Sequence, residues 1–364
     1  MQQVSSHRAD TPNRFHVRPS AAGHLAIIEF PDPGLADHLV AGVPAAARLV
    51  RITREAGYTA CAMVLPDGKQ PAPFTRDEIA RLGGDLPVSV IDGCEAEAYI
   101  QAGAVRTDGT TVADTEARSR QPALNGLDPI MARKRLDQWG KEILRATAKP
   151  SDGIVSRTIN RPISQTISAL LLRVPGVLPL HVTWSTAVLA VTMAAVLVLG
   201  GASGLLPGAI LFQAASIIDG VDGEIARATF RESAAGARLD SLVDAATNLA
   251  FIAGVAINLF LQGDRMSAWA GGIGLAAFAA GLVLIARRSR QREAGLTFNA
   301  VKEHFRQKPT WLMTFLTWLT MRDFFALAFA AFIAAGLSAF AMKAFLVIVC
   351  GWLLVVLWVM HRQT

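Results

Sequence analysis

The stretch Asp219-Gly-Val-Asp222-Gly223-Glu-Ile-Ala226-Arg227, followed after eight residues by Gly236-Ala-Arg-Leu-Asp240-Ser-Leu-Val-Asp244, decides how this chain folds. It sets four carboxylates and an arginine between segments apolar enough to live in a bilayer, where an unpaired charge costs at least about 2.5 kcal/mol. Asp219, Asp222, Gly223, Ala226 and Arg227 fall at i, i+3, i+4, i+7 and i+8, which is one face of a helix. Gly236, Asp240 and Asp244 repeat the device at spacings of four. Pairing the two stripes across a helical hairpin brings the four acids together. The glycine and alanine positions keep that face free of bulk, so that a ligand can approach the backbone.

Outward from this stretch the chain is apolar. No residue from Val174 to Ile218 carries a formal charge, and Gly200-Gly-Ala-Ser-Gly204 with Pro207 divides that run into two spans. Uncharged runs at Ala245–Gly263, Met266–Ala286, Phe324–Met342 and Ala344–Met360 bring the expected number of transmembrane helices to six. Just before them, Ile154–Arg173 mixes apolar residues with Arg and Ser, which suits a helix lying in the membrane interface. From Arg287 to Lys308 seven basic residues face only Glu293 and Glu303, so this loop is expected in the cytosol. Counting spans from it places both termini, and the acidic stretch at the ends of spans two and three, on the same side. The expectation is an integral protein of the inner (cytoplasmic) membrane.

Composition agrees: of 364 residues 52% are hydrophobic and only 18% charged. The net charge of +6 and isoelectric point near 9.6 come from basic residues gathered beside apolar spans, which argues for topology and against nucleic-acid binding. Cys61, Cys94 and Cys350 are odd in number and lack metal-ligand spacing, so they are expected as free thiols in a reducing compartment.

The front of the chain differs. Residues 1–23 form a polar leader without periodicity, and residues 24–127 alternate between strand and helix signals. Strands are expected at Leu25–Phe30, Tyr58–Leu65 and Val88–Ile91, with helices at Val43–Ala56, around Thr75–Leu82 and near Ala96–Ala102. This order predicts a small cytosolic α/β domain with a mainly parallel sheet. It resembles the sugar-phosphate nucleotidyltransferase fold, particularly in Gly42-Val-Pro-Ala-Ala-Ala-Arg48-Leu-Val-Arg51 leading to Glu55-Ala-Gly57. Where those enzymes carry a glycine-rich triphosphate loop, this chain has Ile28-Glu29-Phe30-Pro31-Asp32-Pro33-Gly34. Two prolines remove amide donors there, so the domain is expected to be non-catalytic and to serve assembly or regulation. Residues 128–173 then supply linker and interfacial helices. The first, Asp128 to about Ala148, has a basic face that fits either a solvated linker or a surface helix near anionic headgroups.

Four carboxylates in one low-dielectric place repel one another unless cations lie among them. Oxygen-only ligands without His or Cys favour Mg²⁺ or Mn²⁺. Such a cluster serves phosphate chemistry, with one carboxylate kept as general base for an incoming hydroxyl. Arg227 fits either a phosphate contact or neutralisation of a neighbouring Asp.

The pattern Asp-x2-Asp-Gly-x2-Ala-Arg-x8-Gly-x3-Asp-x3-Asp is similar to the signature of the CDP-alcohol phosphotransferase family, and this chain fills all eight positions. The resemblance implies a six-helix membrane enzyme that takes a CDP-alcohol donor, transfers its substituted phosphate to an acceptor alcohol or polyol phosphate, and releases CMP. It implies that Asp219, Asp222 and Asp240 bind two divalent ions, with Asp244 completing the metal site and acting as the catalytic base. Asp219, Gly223, Ala226, Arg227 and Gly236 would then surround the CDP moiety, with Thr183 at the start of span one. It also implies membrane lipid as surroundings and a homodimer. Lys149-Pro-Ser-Asp152-Gly153, Asn160-Arg161-Pro and Arg322-Asp323-Phe324 resemble the branch in which a cytidylyltransferase is fused to a di-inositol-phosphate-phosphate synthase. His181 departs from the Asn usual there. Arg287, Arg288 and Arg290 are explained by topology or by a grip on a phosphorylated acceptor or headgroup. Two alternatives remain: a bifunctional enzyme with an active amino-terminal cytidylyltransferase, and a membrane carrier with an acid-lined path.

Overall fold

A computed structural model describes residues 25–66, 69–106, 124, 126–149, 152–291 and 322–362, without the side chains of 285–291, 355 and 358–362. The expected leader 1–23, most of the basic loop up to Lys308 and the segment Trp311–Thr320 lie outside the described residues. The chain divides into two compact units, one running to Thr147 with Ala169–Val177, the other comprising Ala148–Ser168 with Leu178 onward.

The first unit is α/β. Strands β1 (Leu25–Glu29), β4 (Ala60–Val64), β5 (Val88–Ile91) and β6 (Val105–Arg106) form a parallel sheet in the order β5-β4-β1-β6. Buried alternating side chains such as Leu25, Ile27, Ala62 and Ile91 make one core of this sheet. Helices α1 (Pro33–Ala36), α2 (Ala45–Glu55), α3 (Pro73–Gly83) and α4 (Gly93–Gln101) connect the strands. The expected helix from Val43 begins two residues later. Val43–Pro44 instead forms β3, an antiparallel hairpin with β2 (Leu39–Val40). The two-residue turn between them has positive φ at both Ala41 (45°) and Gly42 (82°), the backbone that such a hairpin requires. Arg48, 1% exposed, fixes that turn by donating from Nε to the Val40 carbonyl at 2.7 Å and from Nη2 to the Ala41 carbonyl at 3.0 Å. Burial, with Arg51 and Arg81 nearby, brings the Arg48 guanidinium down to about 9. Burial also pushes the Cys61 thiol up to about 12. Helix α5 (Pro129–Ala146) belongs to this unit: Ala132, Leu136, Trp139, Ile143 and Leu144 are buried, and Asp137 meets His38 at 2.8 Å. Its basic residues Arg133, Lys134, Arg135 and Lys141 stay exposed.

The second unit is helical. A π-helical turn at Ser156–Asn160 leads into α6 (Arg161–Leu171), followed by α7 (Pro179–Leu199), α8 (Gly201–Thr229), α9 (Ala234–Leu261), α10 (Arg265–Gln291), α11 (Arg322–Ala334) and α12 (Ser338–Arg362). Among the described residues four helices, α7 to α10, are long and apolar enough to cross a membrane. At 13 residues α11 spans about 20 Å, less than the roughly 30 Å of a hydrocarbon core, and the apolar part of α12 among described side chains is Ser338–Leu354. The chain is thus a mainly helical membrane protein with a small α/β part, and among the described residues four of the six expected spans are both long and apolar enough to cross.

Two boundaries differ from expectation. The α7–α8 break is confined to Gly200 and Gly201, the latter at φ 55°, and Pro207 sits inside α8. The carbonyls exposed by this tight turn are satisfied from α9, where buried Asn258 donates its Nδ2 to Leu197 and Gly201. The turn expected near Lys343 lies at Gly336, whose φ of 74° suits a residue without Cβ, so Lys343 falls inside α12. Between the helices Phe212 and Phe251 stack with centroids 4.1 Å apart, and Phe325 and Phe329 extend the aromatic core.

Candidate active site

The acidic stretch forms as its spacing predicts, on two long helices joined by four residues. Helix α8 ends at Phe230, which takes the left-handed conformation at φ 56°, and α9 starts with Ser233 as cap, its Oγ accepting from the Gly236 amide at 3.0 Å. A Cβ on Gly236 would stand 3.0 Å from that Oγ, so the glycine of the signature also serves the cap locally. A Cβ on Gly223 would meet Arg227 Nη1 at 2.9 Å, so its small size leaves room for the guanidinium to fold back along α8.

Asp240 of α9 meets both Asp219 and Asp222 of α8, side chain to side chain. Asp222 is 6% exposed and accepts from Thr183 Oγ1 of α7 at 2.9 Å. Asp219 and Asp244 are joined by a cation from a distant part of the chain. Arg322 at the start of α11 donates from Nη1 to Asp244, and the same atom lies 3.3 Å from Asp219. Its guanidinium stands 5.7 Å from the centroid of the Phe212 ring. The sequence pattern gave Arg322 no role, although Arg322-Asp323-Phe324 stands out in it.

A cavity of about 1070 Å³ opens beside these groups. Asp240, Asp244, Asn248, Arg322, Lys149 and Asp152 line its polar end; Phe278, Phe325, Phe329, Phe345 and Trp352 line a long apolar arm. Asp219, Asp222, Gly223, Ala226, Arg227, Gly236 and Thr183 do not line this cavity. Arg287, Arg288 and Arg290 fall on the last turns of α10, and their side chains are outside the described residues.

The rim of the polar end is held by an ionic network. Arg161 bonds Asp152 through two nitrogens, at 2.8 and 3.1 Å, and Glu224 through Nη1 at 2.8 Å. Glu224, fully buried on α8, also accepts from Ser164 Oγ and Ser168 Oγ of α6, each at 2.6 Å. Although burial works against its charge, the hydrogen bonds to Asp152 and Glu224 lift the Arg161 guanidinium above its ordinary value. Asp152 Oδ2 takes the Lys149 amide at 3.0 Å, while Asp323 Oδ2 takes the Ser156 amide at 2.7 Å. The segment from Lys149 to Arg161 is therefore tied to α8 on one side and to α11 on the other.

As they stand, no three acidic, His or Cys side chains among the described residues converge into a ready metal cage. The donor set nevertheless fits a hard divalent cation. It is oxygen-only, and the position between Asp219 and Asp244 already accommodates a positive group, the Arg322 guanidinium.

The sequence profile of the CDP-alcohol phosphatidyltransferase family matches residues 176–360, which contain the whole acidic hairpin, Arg322, α7 to α11 and all but the end of α12. Among curated proteins, the "bifunctional IPC transferase and DIPP synthase" of Aquifex aeolicus is 39% identical over 115 residues, covering 32% of this chain and 26% of its own length. The protein of the same description from Thermococcus kodakarensis is 42% identical over 103 residues, 28% of this chain and 22% of that one. The Rubrobacter xylanophilus protein is 38% identical over 154 residues, 42% of this chain and 33% of that one. The matched stretches thus span a third or less of these relatives. With the profile covering half of the sequence and the signature acids facing one another across α8 and α9, the chain belongs to the CDP-alcohol phosphatidyltransferase family.

Proposed function

We propose that this protein transfers a substituted phosphate group from a CDP-alcohol to an acceptor alcohol and releases CMP. The observation that carries this reading is the apposition of the signature acids across α8 and α9: Asp240 meets Asp219 and Asp222, Arg322 bridges Asp219 and Asp244, and Asp240, Asp244 and Arg322 line one cavity. The acceptor hydroxyl attacks the phosphorus that bears the donor's alcohol. The bond from that phosphorus to the bridging oxygen breaks, and CMP leaves with the bridging oxygen. Asp244, which lines the cavity, takes the proton of the attacking hydroxyl.

Asp219, Asp222 and Asp240, with Asp244 beside them, would hold Mg²⁺ or Mn²⁺, two ions in this reading. When bound, the ions offset charge on the diphosphate and on the departing CMP. Thr183 orients Asp222 through its 2.9 Å hydrogen bond. Gly223, Ala226, Arg227 and Gly236, which lie outside the cavity lining, serve the cytidine diphosphate side. Arg322 adds what the sequence pattern lacked: a planar guanidinium lining the cavity, suited to a phosphate oxygen of either alcohol. Arg287, Arg288 and Arg290 serve topology first.

The aromatic arm supports a hydrocarbon chain on one of the two alcohols, such as the diacylglyceryl part of a CDP-diacylglycerol donor with a polyol-phosphate acceptor. The names of the matched relatives favour a second reading, in which donor and acceptor are both inositol compounds. The α/β unit is read as non-catalytic. After β1 the Gly34 amide is taken by the Asp32 carboxylate at 2.8 Å and Pro31 and Pro33 offer no amide, so the loop has little left to cradle a triphosphate. In this reading both ends of the chain and the acidic hairpin face the cytosol, as the basic loop after α10 favours, and the protein works as a homodimer.

The test is CMP release by the full-length protein in detergent, from a panel of CDP-diacylglycerol and CDP-polyols, with and without Mg²⁺ and with polyol-phosphate acceptors. Transfer that needs both acceptor and Mg²⁺ is expected. CMP release that ignores the acceptor contradicts the reading, and CTP-dependent pyrophosphate release by the same protein would contradict the non-catalytic assignment of the α/β unit.

A further inference from the structure

One helix of the α/β unit presents a face that the unit itself leaves uncovered. In α5 the buried residues Ala132, Leu136, Trp139 and Ile143 recur at helical spacing and define the side that packs inward. Ile130, Met131, Lys134, Gln138, Lys141 and Arg145 fall within about 100° of arc on the opposite side, and all of them are exposed. From residue 25 to residue 147, Ile130 at 69% and Met131 at 54% are the two exposed large apolar side chains among the described residues. They stand together in the first turn, ahead of Lys134, Lys141 and Arg145 on the same stripe, with exposed Arg133 and Arg135 flanking it. Little offsets this charge. Asp137 stands three residues after Lys134 and four before Lys141, but its Oδ1 meets His38 at 2.8 Å. Glu142 lies at the margin of the stripe, and Arg135 reaches Gln138 at 3.4 Å. Among the described residues none of the basic side chains of α5 forms an ion pair.

Charge, apolarity and reach together select what covers this face. An uncompensated cationic stripe suits an anionic surface, and an apolar pair at one end suits a surface that also takes in hydrocarbon. A bilayer with anionic headgroups offers both. Nucleic acid has no use for Ile130 and Met131, and a second copy docking through the same face would set Lys141 and Arg145 against their own equivalents. Reach follows from the chain: residues 147–155 separate α5 from the π-helical turn that opens the helical unit, and a segment of that length spans at most about 30 Å. The face is thereby tethered close to the bilayer that α7 to α10 are built to cross. We propose that α5 is a membrane-docking helix, in which Lys134, Lys141 and Arg145 engage anionic lipid headgroups while Ile130 and Met131 enter the boundary between headgroups and acyl chains. The lipid composition then decides whether the α/β unit is held at the surface or swings on its tether. This does not rest on the transfer reading above.

The experiment uses the full-length protein, one copy per lipid nanodisc, with a nitroxide spin label on Met131→Cys. Exposed Cys94 and Cys350 are replaced by serine, and buried Cys61 is kept. The readout is relaxation of the label by a water-soluble nickel chelate. In discs with about one third phosphatidylglycerol that relaxation should fall by about threefold or more relative to discs of phosphatidylcholine alone, and about 0.5 M NaCl should restore it. Both leaflets carry the same lipid, so the result does not depend on which side the α/β unit faces. Combining Lys134→Glu, Lys141→Glu and Arg145→Glu should abolish the difference between the two discs. If that variant has a lowered thermal midpoint in detergent, the same three positions changed to Gln should reduce the difference in the same direction. Equal relaxation in the two discs would overturn the proposal. So would shielding in both discs that ignores salt, which would mean insertion without headgroup recognition. Shielding already present in detergent would mean that protein covers the face, and shielding by added polyuridylate but not by lipid would make it a nucleic-acid surface; either result contradicts docking on anionic lipid.

Discussion

In the α/β unit a cavity of about 610 Å³ lies at the carboxyl ends of β1, β4 and β5, with Glu29 and Asp92 in its lining. In the helical unit the larger cavity has Asp240 and Asp244 in its lining. The first pair of acids is used in folding. Glu29 pairs with Arg106 at 2.9 Å, and Asp92 caps α4 by accepting the Glu95 amide at 2.8 Å. The second pair belongs to a group of four acids drawn from two helices, and none of the four caps a helix or turn. A carboxylate beside a cavity is therefore no sign of chemistry by itself. What separates the two places is convergence: in one each acid has a partner of its own, an arginine or a backbone amide, whereas in the other the acids meet one another and two of them share one cation.

The sharpest way to break this comparison is to remove one acid from each place. Asp219→Ala or Asp240→Ala should lower the rate of CMP release by about a thousandfold, within the range of lost acid–base and charge-stabilising groups. Glu29→Gln should leave it unchanged. An equal effect at both places would dissolve the distinction.

A second test concerns the fully buried Glu224. Replacing it by leucine leaves the Arg161 guanidinium with only Asp152, and breaking a buried ion pair from one side costs about 3 kcal/mol or more. The thermal midpoint of the helical unit should fall by several degrees, whereas the double change Arg161→Met with Glu224→Leu should recover most of it. Arg322→Gln should act more mildly, with a tenfold to hundredfold loss in kcat/KM for the acceptor, about 1.4 to 2.7 kcal/mol. The smallest effect is expected in the α/β unit. Asp92→Ala removes the α4 cap, costs about 1 kcal/mol in stability by chemical denaturation, and leaves CMP release intact.

Much of this site is legible in sequence because its spacing is local. Residues three and four apart on a helix share a face whatever the fold, so the two acidic stripes, and the hairpin that apposes them, follow from Asp219 to Asp244 alone. Strand β5 fits for a similar reason: Val88–Ile91 is a short apolar run bounded by turn residues. Arg322 is 78 residues from Asp244, and no periodicity links the two. Glu224 occupies a variable position of the signature, and its partners Arg161, Ser164 and Ser168 lie on a helix that reads simply as interfacial. The misplaced turn before α12 has a further cause: from Phe324 to Met360 the chain is almost uniformly apolar, and only the positive φ of Gly336 marks where it reverses.

The central claim is that the acids on α8 and α9 form a phosphotransfer site with Asp244 as its base. It is tested most directly by single-turnover CMP release from a CDP-alcohol in the presence of Mg²⁺ and a polyol phosphate, comparing the wild-type protein with Asp244→Asn. The account predicts a loss of about a hundredfold or more in the variant, with CDP-alcohol binding retained. An Asp244→Asn protein that transfers at the wild-type rate would contradict it.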